Sequence, residues 1–275
     1  MEYEIKPKNK LTLGIDELIQ YRELFYFFTW RDIKVKYKQT FLGFAWAIIQ
    51  PLAMTLLLSV TLGKIISTAG MLPIPYPLFA LSGLLIWNIF SSGLSNAGNS
   101  MVSNANIIKK IYFPRLIIPV SAVLVSLFDF IMAFVIFIGM LFYYHNEVSI
   151  NILQFLLLLP LSVLLTCIST FGLGSLLAAL NIKYRDFRYV IPFFVQALLF
   201  VTPVIYPISL ISNSSIKFIF AINPMYAPIE LFRHSIIQQH LNFHLLIISL
   251  FSSILFFVIG LFYFRKTEFY FADLA

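Results

Sequence analysis

Residues 181–190 read NIKYRDFRYV and bring Lys183, Arg185, Asp186 and Arg188 into ten positions, between stretches that are almost uncharged. Closely spaced basic groups can hold phosphate or a partner's carboxylates. An aspartate flanked by two arginines points to a local ion pair or a docking contact. Asp129 is a second candidate, a carboxylate inside the apolar run VSLFDFIMAF. A charge at the centre of a spanning helix costs roughly 2.5–3.5 kcal/mol to insert, so it must face protein or water. No second intramembrane charge offers a relay partner, and the expectation is a pairing with a polar group on a neighbouring helix. His240 and His244 have the i,i+4 spacing of a metal pair, but no acidic or cysteine partner lies near them and no metal site is expected. The one cysteine, Cys167, sits in an apolar run and reads as a small core residue.

The elements that must position these groups are set by composition. Of 275 residues, 60% are hydrophobic and 11% are charged, where a soluble domain carries about a quarter charged. Mean hydropathy is +0.90. Apolar runs at 41–63, 76–94, 116–144, 150–180, 190–207 and 245–264 approach or exceed the roughly 20 residues that span a bilayer. The fifth is the shortest and holds Pro192, Pro203 and Pro207. The expected fold is an all-α integral membrane protein with six transmembrane helices, an N-terminal segment over 1–40 and a membrane body over 41–275.

Six spans place both termini on one side, and the basic residues say which. Of the 19 Lys and Arg, only Lys64, Lys217 and Arg233 fall on the far side. The rest lie in the N-terminal segment, in the connections between spans two and three and between four and five, and in the C-terminal tail. That asymmetry predicts cytoplasmic termini and accounts for the net charge of +7 without nucleic-acid binding.

Three non-spanning segments remain. Residues 15–38 suggest an amphipathic interfacial helix, with Arg31, Lys34 and Lys38 on one face and Trp30, Ile33 and Tyr37 on the other; Lys36 and Arg22 break the pattern. Such a helix would lie among lipid headgroups with its basic face toward phosphate. The connection 95–116 is too polar for the membrane, and forms either a plain loop or a short docking helix. The stretch 208–244 holds apolar pieces too short to span, interrupted by NPMYAP, which suggests re-entrant or gate helices before the last span. Aromatic residues make up 17% of the chain; most serve packing or the membrane belts, and a minority along a pathway would stack on sugar rings.

The sequence contains no G-x-x-x-x-G-K-[ST] loop, no H-E-x-x-H, no G-x-S-x-G and no cluster of carboxylates in the connections on the basic side. An enzyme of lipid-linked diphosphates would need such carboxylates, and an ion-coupled transporter would rest on Asp129 alone.

In order, FLGFAWAIIQP, NIIKKIYFPR, NIKYRDF, TPVIYP and NPMY resemble the permease subunit of the ABC-2 type polysaccharide exporters, over about residues 20–270. The resemblance implies a homodimer in the bacterial inner membrane, paired with two copies of a separate ABC ATPase that carries Mg-ATP. The permease itself would have no cofactor and no catalysis, and its cargo would be a glycan (O-antigen, capsule or teichoic acid) on polyprenyl diphosphate. It also implies a coupling helix over about Gly98–Ile108, with Gly98, Asn99 and Asn104 in the docking region. Lys183, Tyr184, Arg185 and Asp186 would contact the same ATPase. Asn223, Pro224 and Met225 would belong to an outer gate, and Trp30, Arg31, Lys34, Tyr37 and Lys38 to the helix that meets membrane lipid and the diphosphate. ABC-2 permeases for drugs or small lipids share the fold and stand as the alternative.

Overall fold

A computed structural model of the chain describes residues 15–38, 42–68, 70, 72–148, 150–237 and 241–271, and these are helical without a strand. His240 lies outside the described residues. The N-terminal segment forms α1 (Ile15–Gln20) and α2 (Arg22–Lys38). A tight turn at Gly43–Ala45 opens α3 (Trp46–Leu58), which passes through a wider π turn at Ser59–Gly63 into α4 (Lys64–Thr68). Pro51 has no N–H to give the ladder, and the hydroxyls of Thr55 and Ser59 bond back to the carbonyls of Pro51 and Thr55. Both features loosen the regular repeat just before it widens.

Next come α5 (Tyr76–Ser103), the one-turn α6 (Ala105–Ile108), α7 (Ile117–Tyr143) and α8 (Ile152–Lys183), followed by α9 (Phe187–Val201), α10 (Ser214–Ile222), α11 (Tyr226–Ile237) and α12 (Phe243–Thr267). Among the described residues, five helical stretches are long and apolar enough to cross a membrane: Gly43–Thr68, α5, α7, α8 and the run beginning with α12. The chain is therefore an integral membrane protein. At the expected fifth span the backbone leaves the helix at Thr202, which is extended (φ −105°, ψ 136°), because Pro203 disfavours helix in the residue before it. The resulting 15-residue helix is about 22 Å long, short of the roughly 30 Å of hydrocarbon. The polar stretch after residue 94 also departs from expectation, since residues 95–103 are the last turns of α5.

In lipid, burying one apolar face against another gains little, and helices associate by close backbone approach and shared polar groups. Here α5 is the central helix: 78% of its apolar window is buried, against 17–39% for the other four. Small residues on it and its neighbours allow the approach. A Cβ on Gly93 would sit 2.7 Å from Thr170 and 2.9 Å from Ser126, and one on Gly174 2.7 Å from Ala97. The crossing of α8 and α12 is tighter still, with Gly260 against the backbone of Gly172.

At one end of the bundle, Phe28, Met101, Ile108, Phe113, Ile117, Ile182, Phe264 and Phe271 form a single buried cluster. Arg115 bonds there to the Glu268 carboxylate and carbonyl, and Arg265 pairs with Glu268 at 2.7 Å. The start of α2, the α5–α7 and α8–α9 connections and the end of α12 thus meet at a common basic end. Gly260→Ala is expected to destabilise the purified chain by about 1–3 kcal/mol through overpacking against Gly172, lowering its unfolding midpoint in detergent. Gly139→Ala, where a Cβ meets nothing within 4 Å, should leave the midpoint unchanged or raise it slightly.

Candidate functional site

Helix α2 is docked lengthwise on the half of α7 nearest the basic end. Its Phe28 ring lies 5.6 Å from Phe113, while Ile33 and Tyr37 are buried with Val125 and Phe128. At its far end both Lys36 and Tyr37 bond to the Asp129 carboxylate. Asp129 lies twelve residues into α7, about 18 Å along the axis. The intramembrane carboxylate therefore has a cation and a phenol as partners, both from a helix outside the spans. Burial, and secondarily the carboxylate beside it, holds the Tyr37 phenol well above its ordinary range, so it stays a donor.

The expected lipid-facing residues of α2 separate. Arg31 donates to Asn104 Oδ1 at 2.7 Å and pairs with Asp32, and Asn104 in turn donates to the Ser100 carbonyl at 2.9 Å. Lys34 lies over the ring of Trp30, itself 44% exposed and stacked on Tyr26, and Lys38 is exposed. Ile33 and Tyr37 are the buried pair; Trp30, expected on their face, points outward.

Beside Lys36 and Asp129 opens a groove of about 880 Å³ bounded by α3, α5, α7 and α9. Its floor on α5 is a stripe of neutral hydrogen-bonding groups, Asn88, Ser91, Ser92 and Ser95, at i, i+3, i+4 and i+7. Gln50 of α3 and Gln196 of α9 face it, with Trp46 and Trp87 at its sides. Among the described residues, Gln50, Asn88 and Gln196 have no side-chain partner. Carboxamides left open along a path within a membrane body fit a polar, uncharged ligand or water. Sequence reasoning missed this stripe, although the spacing was legible: in a window average, the polar face is cancelled by Leu84, Leu85, Ile86, Ile89 and Phe90.

At the opposite end, the irregular segment after α9 is held by Arg233 of α11, which is 3% exposed. Its guanidinium donates to the carbonyls of Pro203 and Val204, stacks 3.7 Å over Phe79, and lies 3.9 Å from Glu230. Tyr76 donates to the next carbonyl, Ile205, at 2.9 Å. A broken helix in a membrane body needs such donors for its freed carbonyls, and Gly83 leaves room for them, since a Cβ there would be 2.6 Å from both Arg233 and Val204. Burial pulls the guanidinium down to about 10, opposed by Glu230 and Tyr76. Nearby, Asn223 donates to Thr202 and its side chain accepts from the Met225 N–H. The α10–α11 corner is fastened to α12 by hydroxyls: Ser252 on the Ile222 carbonyl, Ser249 on Asn223 and Ser253 on Pro224. Asn223, Pro224 and Met225 are all buried.

The expected docking residues also divide. Gly98 is buried, where a Cβ would meet Ile191 at 2.6 Å, and Asn99 and the Gly98 carbonyl accept from Asn181. Lys183, Tyr184, Arg185 and Asp186 are exposed, as are Lys109, Lys110, Ile111 and Tyr112. Among the described residues no cation pairs with Asp186, so the local ion pair is absent. No group of three or more metal-ligating side chains occurs among the described residues.

The helical membrane body thus carries an open, largely apolar groove with one polar stripe, beside a short helix that breaks at Thr202. The ABC-2 type transporter family profile matches residues 23–237, and the chain belongs to that family. It is 30% identical over 245 residues to the O-antigen export system permease protein RfbA of Klebsiella pneumoniae, covering 89% of this chain and 92% of the relative. A protein of the same name from Myxococcus xanthus is 29% identical over 213 residues, 77% of this chain and 79% of the relative. The polysialic acid transport protein KpsM of Escherichia coli is 24% identical over 222 residues, 77% and 80% of the respective chains.

Arg233→Met is expected to destabilise the purified chain by about 3 kcal/mol or more, because Glu230 and two buried carbonyls lose their partner. Lys217→Met, which strands no such group, should be close to neutral in the same unfolding titration.

Proposed function

We propose that this chain is the permease of a polysaccharide exporter that moves an O-antigen-type glycan, carried on polyprenyl diphosphate, across the bacterial inner membrane. The observation that carries the reading is the groove stripe Asn88, Ser91, Ser92 and Ser95 facing Gln50 and Gln196 between two tryptophans. Neutral amides and hydroxyls exchange hydrogen bonds with sugar hydroxyls at little cost, and indole faces stack on sugar rings. A drug or small-lipid cargo would also find the apolar remainder of the lining, and the row of amides and hydroxyls is what favours a glycan. The names of the relatives point the same way.

The remaining parts follow from this reading. A second copy of the chain completes the channel wall; the exposed apolar residues of α3, the π turn after it and α9, such as Leu57, Val60, Phe193 and Phe200, support this. The short α9 is the sixth crossing, lengthened by the pinned segment 202–207. With sixteen of the 19 basic residues assigned to one side, that side and both termini are cytoplasmic. Two copies of a separate ABC ATPase, which holds the Mg-ATP, dock on the exposed residues of the α5–α7 and α8–α9 connections. The buried Gly98 and Asn104 back that surface, and Arg31 ties it to α2. The α10–α11 hairpin is the outer gate.

Two outcomes test the proposal. Asn88→Leu combined with Ser92→Leu should cut surface polymer at least about tenfold in cells that supply the matching ATPase and glycan, with protein level and membrane insertion unchanged; wild-type surface polymer would refute the assignment of the stripe. Asp186→Arg should weaken co-purification with the ATPase, because an exposed, unpaired carboxylate is replaced by a repelling charge. Unaltered recovery would return the four charges of 181–190 to a role in orientation alone.

A further inference from the structure

The basic helix was expected to meet the carrier's phosphate through Arg31, Lys34 and Lys38. Their surroundings argue otherwise: Arg31 is committed to Asn104 and Asp32, Lys34 lies over Trp30, and none of the three lines the groove. Lys36 is the one cation among the described groove-lining residues, and Asp129 the one anion. We propose that Lys36 and Asp129 form an exchange site for the diphosphate headgroup, in which the phosphate displaces the carboxylate from the Lys36 ammonium and the carboxylate later takes it back. This inference rests on the exporter reading and deepens it.

Four features carry it. The Lys36 side chain is 40% exposed even while paired, against 16% for Asp129, so an incoming anion reaches the ammonium without first dismantling the bundle. Asp129 has a second donor, the Tyr37 hydroxyl, and keeps a hydrogen bond when Lys36 turns away. The empty pair is neutral, which spares the membrane body an isolated charge. With a diphosphate on Lys36, two negative groups compete for one ammonium, and that repulsion favours release. Beyond the pair the described lining is uncharged, so the headgroup meets no further cation to hold it back while Ser95, Ser92, Ser91 and Asn88 take the sugars. Capture and release thus share one lysine, and Asp129 sets the dwell time.

The test uses the full chain in phosphatidylcholine nanodiscs, with farnesyl diphosphate as the probe and farnesol as the control. Lys36→Met should weaken farnesyl diphosphate binding about tenfold, Lys36→Arg should retain it, and Asp129→Asn should tighten it about tenfold by removing the competing anion. Farnesol binding should be the same in all four proteins, which checks that each is folded. In cells, Asp129→Asn should slow export despite its tighter binding. Binding insensitive to Lys36, or weakened by Asp129→Asn, overturns the exchange site, as does displacement of the probe when phosphatidylglycerol is added to the nanodiscs. Lys36-independent binding with wild-type export intact would overturn this inference alone. Lys36-dependent binding in a chain that exports no polymer from any matched system would overturn the exporter reading alone.

Discussion

Hydrocarbon offers no water to satisfy a stray backbone or side-chain polar group, and every element of this protein answers to that constraint. It explains why α5 can be central while carrying a polar stripe: its other faces make close, dry contacts at Gly93, Gly98 and the partner Gly174, leaving one face for the groove. It explains why α9 can stop short at Pro203, since Arg233 and Tyr76 answer three successive carbonyls. It also explains why the carboxylate of α7 draws a lysine and a tyrosine from outside the spans. Asp129 and Arg233, the charges set among the helices, each have a partner brought to them.

The polar groups fall into two populations with different partners. At the bundle's opposite end they are spent mainly on backbone: serines and an arginine hold carbonyls. In the groove Ser92 donates to the Asn88 carbonyl and Lys36 and Tyr37 hold Asp129, but the carboxamides of Gln50, Asn88 and Gln196 have no partner among the described residues. A stability role accounts for the first population. The second lowers stability in lipid and persists in the fold only if something polar occupies the groove for part of its working cycle.

Much of this architecture was legible in the sequence. Apolar runs located the long helices, and the distribution of lysine and arginine separated two ends that the buried cluster around Phe28 and Phe264 also distinguishes; the break at Thr202 was missed, since the fifth span was read through Pro203 to residue 207. What was not legible depended on pairing across distance. Lys36 looked like an interruption of an amphipathic pattern because its partner is 93 residues away. Arg233 looked like an outer-loop charge because its acceptors are carbonyls, which no residue type reveals. Asn104 read as a surface group because the polar stretch 95–103 was taken to leave the helix, whereas α5 continues through it and turns Asn104 inward to Arg31. The groove stripe was the one signal present and overlooked, masked by averaging hydropathy over all faces of a helix whose faces differ.

The hairpin α10–α11 is held from two sides by unlike fasteners. Toward α12 it hangs from three serines within about one turn, Ser249, Ser252 and Ser253, and a hydroxyl that loses its carbonyl finds another a turn away, on its own helix. Toward α5 and α9 it is held by the Arg233 guanidinium wedged on Phe79 and by Asn223 on the Thr202 hydroxyl. A shear between α12 and the rest of the bundle would therefore be absorbed at the serines, as slippage in small steps, while the arginine acts as the pivot. The last helix would move along the hairpin without pulling it away.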